Sequence, residues 1–286
     1  MYTYSLLERF LFTPTYLNKA KLLEALHNKT VLITGASSGI GEQLAYDLAD
    51  ANCHLILVAR REEKLLTIKN EIEKSVAKVS VYHADLRNTE QLNGLLSFLH
   101  QLPKGIDVIV SNAGLSIKRS IQDSLERSHD FNRTMAINYF APVQLLLSLI
   151  PIIKKKQGHI INVSTVNALL TPVPFWAAYQ ASKSAFDVWF RSAEPELNAM
   201  GISTTSIYLP LVKTPMIEPT AAYKKAPAMS SQHVAQIISK SFYTKRKRYQ
   251  PWWLIFGQIG SLFFRSAFGF FVTQNLRKRG NYHEDH

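Results

Sequence analysis

Thr34-Gly35-Ala36-Ser37-Ser38-Gly39-Ile40-Gly41 decides how the rest of the chain is read. It follows an apolar run, Val31 to Ile33, and leads into a stretch of helical periodicity. Small residues at such a bend let the backbone approach a pyrophosphate. The helix N-terminus adds unpaired N–H groups and the positive end of its dipole. A plain strand-to-helix turn would need none of this, so the context carries the reading. Outward from the motif, runs suited to buried parallel strands recur at His54 to Ala59, Val79 to Tyr82, Ile106 to Val110, His159 to Val163 and Ile202 to Leu209. Helical stretches over about 39–50, 61–75, 88–101, 124–153 and 176–199 separate them. The alternation predicts a single doubly wound α/β domain over 29–250, its mostly parallel sheet covered on both faces. A dinucleotide then belongs at its first turn.

Composition narrows the alternatives. The chain has 286 residues, 47% apolar and 19% charged, enough for a sizeable core and unlike a disordered or collagen-like chain. One cysteine, Cys53, excludes an internal disulfide and a cysteine-rich zinc site, and it is expected to pack inside. His83 and His129 lack metal-ligand spacing, so no metal is expected. The net charge is +12, and from Lys245 onward eight Lys or Arg face only Glu284 and Asp285, which puts half of that charge at the end of the chain.

Two groups of residues suggest chemistry. Tyr179 and Lys183 lie four apart, so a helix sets them on one face. A nearby ammonium favours the phenolate, which predicts a lowered Tyr179 pKa and a tyrosine able to give or take a proton. The second strand ends at Ala59 and is followed by Arg60 and Arg61, where an acidic residue would receive the ribose hydroxyls of NAD. A guanidinium there pairs with a 2′-phosphate instead, which points to NADP and to Arg60.

Taken with Asp85-Leu86, Asn112-Ala113-Gly114, Asn138 and Ser164-Thr165, in that order, these elements resemble the short-chain dehydrogenase/reductase family over roughly residues 28–250. The resemblance implies a Rossmann-type fold and a role for each position. Gly35, Ser37, Ser38, Gly39, Ile40 and Gly41 would hold the cofactor, with Asp85 and Leu86 beside the adenine. Asn112, Ala113 and Gly114 would end the fourth strand next to it, and Thr214 would meet the nicotinamide carboxamide. Asn138 would hold a water in a proton relay, Tyr179 would be the general acid/base, and Lys183 would bind the ribose and tune Tyr179. Two positions depart from the family pattern. Strand register puts the carbonyl-orienting hydroxyl at Thr165, whereas counting back from Tyr179 falls on Val166, with Ser164 as the other candidate. Leu211 stands where the family often has glycine after Pro210.

Ser116–Arg119, His129–Met135 and Ile207–Ile217 resemble the branch of bacterial fatty acyl-CoA reductases, which implies an NADPH-dependent reduction of a lipid-like carbonyl. A smaller ketone or alcohol, or NADP sensing without turnover, are the competing functions. The two ends of the chain bear on the choice. Leu6, Leu7, Phe10 and Leu11 recur at helical spacing, and Leu22, Leu23 and Leu26 form a second short apolar face. This predicts amphipathic helices over 1–28, packed on the domain or lying on a membrane, and no cleaved secretory signal. Trp252–Val272 is 21 residues with only Gln258 and Arg265 strongly polar, between basic flanks Lys245–Arg248 and Arg277–Arg279. Two basic flanks suit an in-plane or re-entrant segment on the cytoplasmic face better than a simple span. The alternative is a 251–286 extension that covers the pocket or joins a second copy, with Lys245–Arg248 leading into a last strand. The expectation is a cytoplasmic homo-oligomer at the membrane surface. Nucleic acid is not expected as a partner, because the aromatics lie in an apolar block rather than among the basic residues.

Overall fold

A computed structural model describes residues 4–217, 223 and 226–284, with side chains through 278. Residues 1–3 of the N-terminal arm lie outside the described residues, as do Asp285 and the side chains of Arg279 and Glu284 in the tail. Two short helices come first, α1 (Leu6–Leu11) and α2 (Lys19–Leu26). A capping box closes the start of α1: the Glu8 backbone N–H donates to the Ser5 hydroxyl, and the Ser5 N–H donates to the Glu8 carboxylate. Leu6, Leu7 and Phe10 are exposed and Glu8 is buried.

The first half of the domain runs β1 (Thr30–Thr34), α3 (Gly39–Asp47), β2 (His54–Ala59), α4 (Glu62–Ile72), β3 (Lys78–His83), α5 (Thr89–His100) and β4 (Val108–Ser111). The second half runs α6 (Ser128–Met135), a π-helical turn over Ala136–Phe140, α7 (Ala141–Lys155), β5 (His159–Thr165), α8 (Ala177–Ala199) and β6 (Ser203–Leu209). Two-residue strands β7 (Val212–Lys213) and β8 (Met229–Ser230) pair with each other, and α9 (Ser231–Thr244) leads to β9 (Arg248–Tyr249). The main sheet has seven strands in the order β3-β2-β1-β4-β5-β6-β9, and every pair is parallel. This is the doubly wound Rossmann-type α/β architecture, with the order reversing between β1 and β4.

Burial on both faces explains why the strands are continuous apolar runs. In β1, Val31 and Ile33 join one core layer with Leu44 of α3 and Val234 of α9. Leu32 points the other way and joins Leu95 of α5, Leu149 of α7 and Phe190 of α8. Each such leucine contributes roughly 1.5–3 kcal/mol through burial. The helical stretch Ser128–Lys155 is long and apolar enough to cross a membrane, yet Leu145, Leu146, Leu149 and Ile153 sit in this second layer, so it is a core helix.

The tail is two helices, α10 (Leu254–Phe263) and α11 (Arg265–Glu284), meeting at 87°. Leu254 packs on Val166 and Tyr208, while Phe256, Phe263, Phe264, Phe270 and Phe271 are exposed. Part of the basic run before it is drawn into the sheet: β9 begins at Arg248, whose guanidinium lies over the Tyr208 ring.

Candidate active site

A cavity of about 800 Å³ runs along the C-terminal ends of the strands, from Arg60 and Asp85 at one end to Tyr179, Trp176 and Tyr223 at the other. The turn after β1 forms its floor. Gly35 and Gly39 adopt φ of +69° and +60°, a region costly for other residues. A Cβ on Gly41 would lie 2.5 Å from the Gly35 carbonyl oxygen, so α3 could not start this close to β1 with a larger residue. Ser38 precedes that helix without a side-chain capping bond, and Ser37, Ser38 and Ile40 border the cavity. The backbone N–H groups of Asn112 and Ala113 both donate to the Thr34 hydroxyl at 3.0 Å, and the Asn112 amide donates to the Thr34 carbonyl. The end of β4 is thus tied to the end of β1. Thr214 packs on Gly39: a Cβ there would meet its methyl at 2.9 Å. The glycine cradle and the length of the cavity fit a dinucleotide.

At the β2 end of the cavity, the Arg60 side chain is 60% exposed and 4.0 Å from Asp85. Asp85 is bound by Arg87, which holds its carboxyl below the usual range. Leu86 is buried beside them and borders the cavity. Arg61 donates to the Ser37 hydroxyl and carbonyl, tying the glycine turn to the end of β2. The Arg87 contact had no sequence signal of its own, whereas Arg61 was visible as the second half of the arginine pair.

The catalytic candidates converge from three elements. Thr165 ends β5, accepts from Asn167 N–H at 3.3 Å, and borders the cavity together with Tyr179. Ser164 precedes it and also borders the cavity, and Thr165 opposes the rise of the Tyr179 phenol. Asn138 sits in the π-helical turn, a feature that often marks functional positions. Its side chain accepts from Leu115 N–H at 2.9 Å and donates to Leu115 carbonyl at 2.8 Å and to the Ser182 hydroxyl at 2.9 Å. Ser182 in turn donates to the Tyr179 carbonyl. Lys183 donates to the Val163 carbonyl at 3.3 Å. Gly114 lies between: a Cβ there would be 3.1 Å from the Asn138 oxygen and 3.3 Å from the Lys183 nitrogen.

Burial pushes the Tyr179 phenol above its ordinary value, and the Thr165 bond opposes the shift. This corrects the expectation that Lys183 lowers it: in the free protein, desolvation dominates and keeps the proton on. Burial also brings the Lys183 ammonium down to about 8. A protonated phenol beside an open cavity can donate to a carbonyl oxygen.

Gln180 was not anticipated. It is buried, donates to the Asn167 carbonyl at 2.7 Å and accepts from Val173 N–H at 3.1 Å, which fixes the loop between Thr165 and Tyr179. The same loop is held from outside by α10, where Thr171 N–H donates to the Ser261 hydroxyl. Val173, Trp176, Leu211, Met216, Ile217 and Tyr223 make the far end of the cavity apolar, with Trp176 edge-on to Tyr179 and stacked on Tyr223. Leu211 therefore projects the departure from the family pattern into the pocket. Cys53 is buried and its thiol is pushed up to about 12, while His129 rests 3.4 Å from Asp130. Among the described residues, no three His, Cys, Asp or Glu are placed to hold a metal.

Comparison with known proteins adds the following. The family model for short chain dehydrogenases matches residues 29–225. A fatty acyl-CoA reductase of Acinetobacter baylyi is 41% identical over 231 residues, covering 80% of this chain and 78% of that protein. A fatty acyl-CoA reductase of Mycobacterium tuberculosis is 37% identical over 227 residues, covering 79% and 77%. Among solved structures, a short-chain dehydrogenase from Sphingobium yanoikuyae in complex with NADPH superposes with a TM-score of 0.70 at 24% identity, covering 77% of this chain and 86% of that one. A short chain dehydrogenase from Burkholderia cenocepacia in complex with NADP also gives 0.70, at 22% identity, with 86% and 98% covered.

Proposed function

The chain belongs to the short chain dehydrogenase family, and from that premise we propose that it is an NADPH-dependent reductase of a lipid carbonyl, a long-chain acyl thioester above all. The observation that carries this reading is that Thr165, Tyr179 and Lys183 border one cavity at the junction of a glycine-cradled channel and an apolar chamber bordered by Val173, Trp176, Met216, Ile217 and Tyr223. The names of the relatives support the thioester, and the arginines at the adenine end support a cofactor with a 2′-phosphate.

When bound, the reduced nicotinamide supplies a hydride to the carbonyl carbon. The Thr165 hydroxyl holds the carbonyl oxygen, and Tyr179 gives that oxygen its proton as the C=O π bond breaks. Lys183 receives the ribose and favours the phenolate left behind, and Asn138 connects this corner to the Leu115 backbone, where a water can return the proton. With a thioester the product of addition is a hemithioacetal. Its hydroxyl gives up its proton, the C=O re-forms as the C–S bond breaks, that proton ends on the thiolate, and the aldehyde leaves.

The reading includes work at the cytoplasmic membrane surface. Exposed Leu6, Leu7 and Phe10 of α1 continue into Trp252, whose ring packs edge-on against Phe10, and into Ile255, Phe256 and Phe263 of α10. Aromatic and basic residues together suit an anionic interface. The test is NADPH oxidation across acyl-CoAs, fatty aldehydes, 3-keto lipids and small ketones, with and without liposomes. Turnover confined to small ketones would overturn the lipid reading, and absence of turnover on all of them would overturn the reductase.

A further inference from the structure

We infer that Glu8 is a positioning residue for the reaction: from the N-terminal arm it clasps both ends of the segment that borders the substrate end of the cavity.

Helix α1 has six residues, too few to be stable alone, and it is inverted. Leu6, Leu7 and Phe10 are 86%, 55% and 63% exposed, while Glu8 is 7% exposed. Burying the one acid of a helix and leaving Leu6 and Leu7 outside is unfavourable unless the acid is paired. Its pairs lie far away in the sequence. One carboxylate oxygen accepts from Lys213 Nζ at 2.7 Å and from Ala228 N–H at 3.3 Å, and the other accepts from Ser5 N–H at 3.0 Å.

Those two distant partners share one segment. Lys213 ends β7 and Ala228 precedes β8, and the chain between them carries Thr214, Met216, Ile217 and Tyr223, all of which border the cavity. The ends are also joined by the two-residue pairing of β7 with β8, by Met229 N–H donating to the Leu211 carbonyl and by the Ser231 hydroxyl donating to the Lys213 carbonyl. Tyr4 extends the clasp, since Ser230 N–H donates to its hydroxyl at 2.9 Å. The carboxylate remains ionised across the working range: burial opposes ionisation, but the bonds from Lys213, Ser5 and Ala228 prevail and bring its pKa to about 2. A charge locked across the mouth of a segment sets where Met216, Ile217 and Tyr223 stand. It does not touch the reacting atoms, so its effect falls on substrate binding.

The clasp rests on the proposed reductase activity only for the substrate used to read it. In Glu8→Gln, the KM for palmitoyl-CoA should rise about tenfold, with kcat and NADPH affinity within about twofold, as loss of uniform binding requires. Hydrogen exchange at the Ala228 amide should quicken in the same variant, a readout that needs no substrate. The conservative Glu8→Asp, which keeps an acceptor carboxylate, should lose less of the KM than Glu8→Gln. Unchanged KM and unchanged exchange in Glu8→Gln would overturn the clasp. So would quickened exchange with an unchanged KM, or equal loss of kcat and NADPH binding in both variants. Failure of the wild type on palmitoyl-CoA would instead count against the thioester reading, and the KM comparison would then use whichever carbonyl the wild type reduces.

Discussion

The two ends of the cavity are built differently. At the cofactor end, one contiguous stretch from β1 through the glycine turn to α3 does most of the work, and sheet neighbours complete it. At the substrate end, the walls come from loops pinned by partners far off in sequence: Gln180 on the loop after Thr165, Ser261 of α10 on Thr171, and Glu8 of α1 on Lys213. A cofactor common to a whole family needs one rigid cradle. A substrate that varies needs walls that can be altered without disturbing it. The comparison predicts that changes at the junction abolish turnover, changes at the cofactor end alter which cofactor is used, and changes at the termini alter only access and binding.

The largest effect belongs to the junction. Tyr179→Phe removes the transferable proton and keeps the ring, so turnover should fall at least ~100-fold while NADPH still binds. Near-normal turnover in the folded variant would break the catalytic assignment. Thr165→Ala comes next, with a loss of about 10- to 100-fold, against less than about threefold for Ser164→Ala. Stopped-flow measurement of NADPH oxidation ranks them, and the reverse order would move the carbonyl-orienting hydroxyl to Ser164.

At the cofactor end the two arginines should separate. Arg60→Glu should shift preference towards NADH by about tenfold or more, because an ionic partner becomes a like charge. Arg61→Ala should weaken NADPH and NADH alike, since Arg61 holds Ser37. Competitive titration of both cofactors decides the matter, and identical behaviour of the two variants would merge their roles. At the termini, Phe10→Glu or Phe263→Glu should cut binding to anionic vesicles several-fold and leave turnover of short soluble substrates unchanged. Vesicle sedimentation that detects no difference would remove the membrane from the account.

The smallest effect is one of pH. Glu8 is lowered from 4.5 to about 2, so its contribution to stability is complete above 4.5 and is lost as pH falls towards 2. Wild type should therefore lose denaturation midpoint faster than Glu8→Gln across that window, and parallel curves would contradict the clasp.

Legibility in the sequence follows the same division. The cradle was readable because strand, glycine turn and helix are local, and burial on both faces forces apolar runs. Thr165 and Ser164 were readable as two neighbouring hydroxyls at the end of β5, and both border the cavity with Tyr179. The π-helical turn at Asn138 was not, because one extra residue per turn barely disturbs an apolar pattern. The direction of the Tyr179 shift was misread because desolvation has no sequence signature. The face that α1 turns to the domain stayed open in the sequence for a related reason: apolar spacing says which residues share a side, not which side meets protein. The 87° bend of the tail at Phe264 was foreshadowed only by its glycines and Arg265.

The most direct test of the central claim is a product balance. Purified protein with NADPH and palmitoyl-CoA should release one free CoA thiol and one long-chain aldehyde for each NADPH oxidised, and Tyr179→Phe should release neither. NADPH oxidised by small ketones, with palmitoyl-CoA recovered intact, would contradict it.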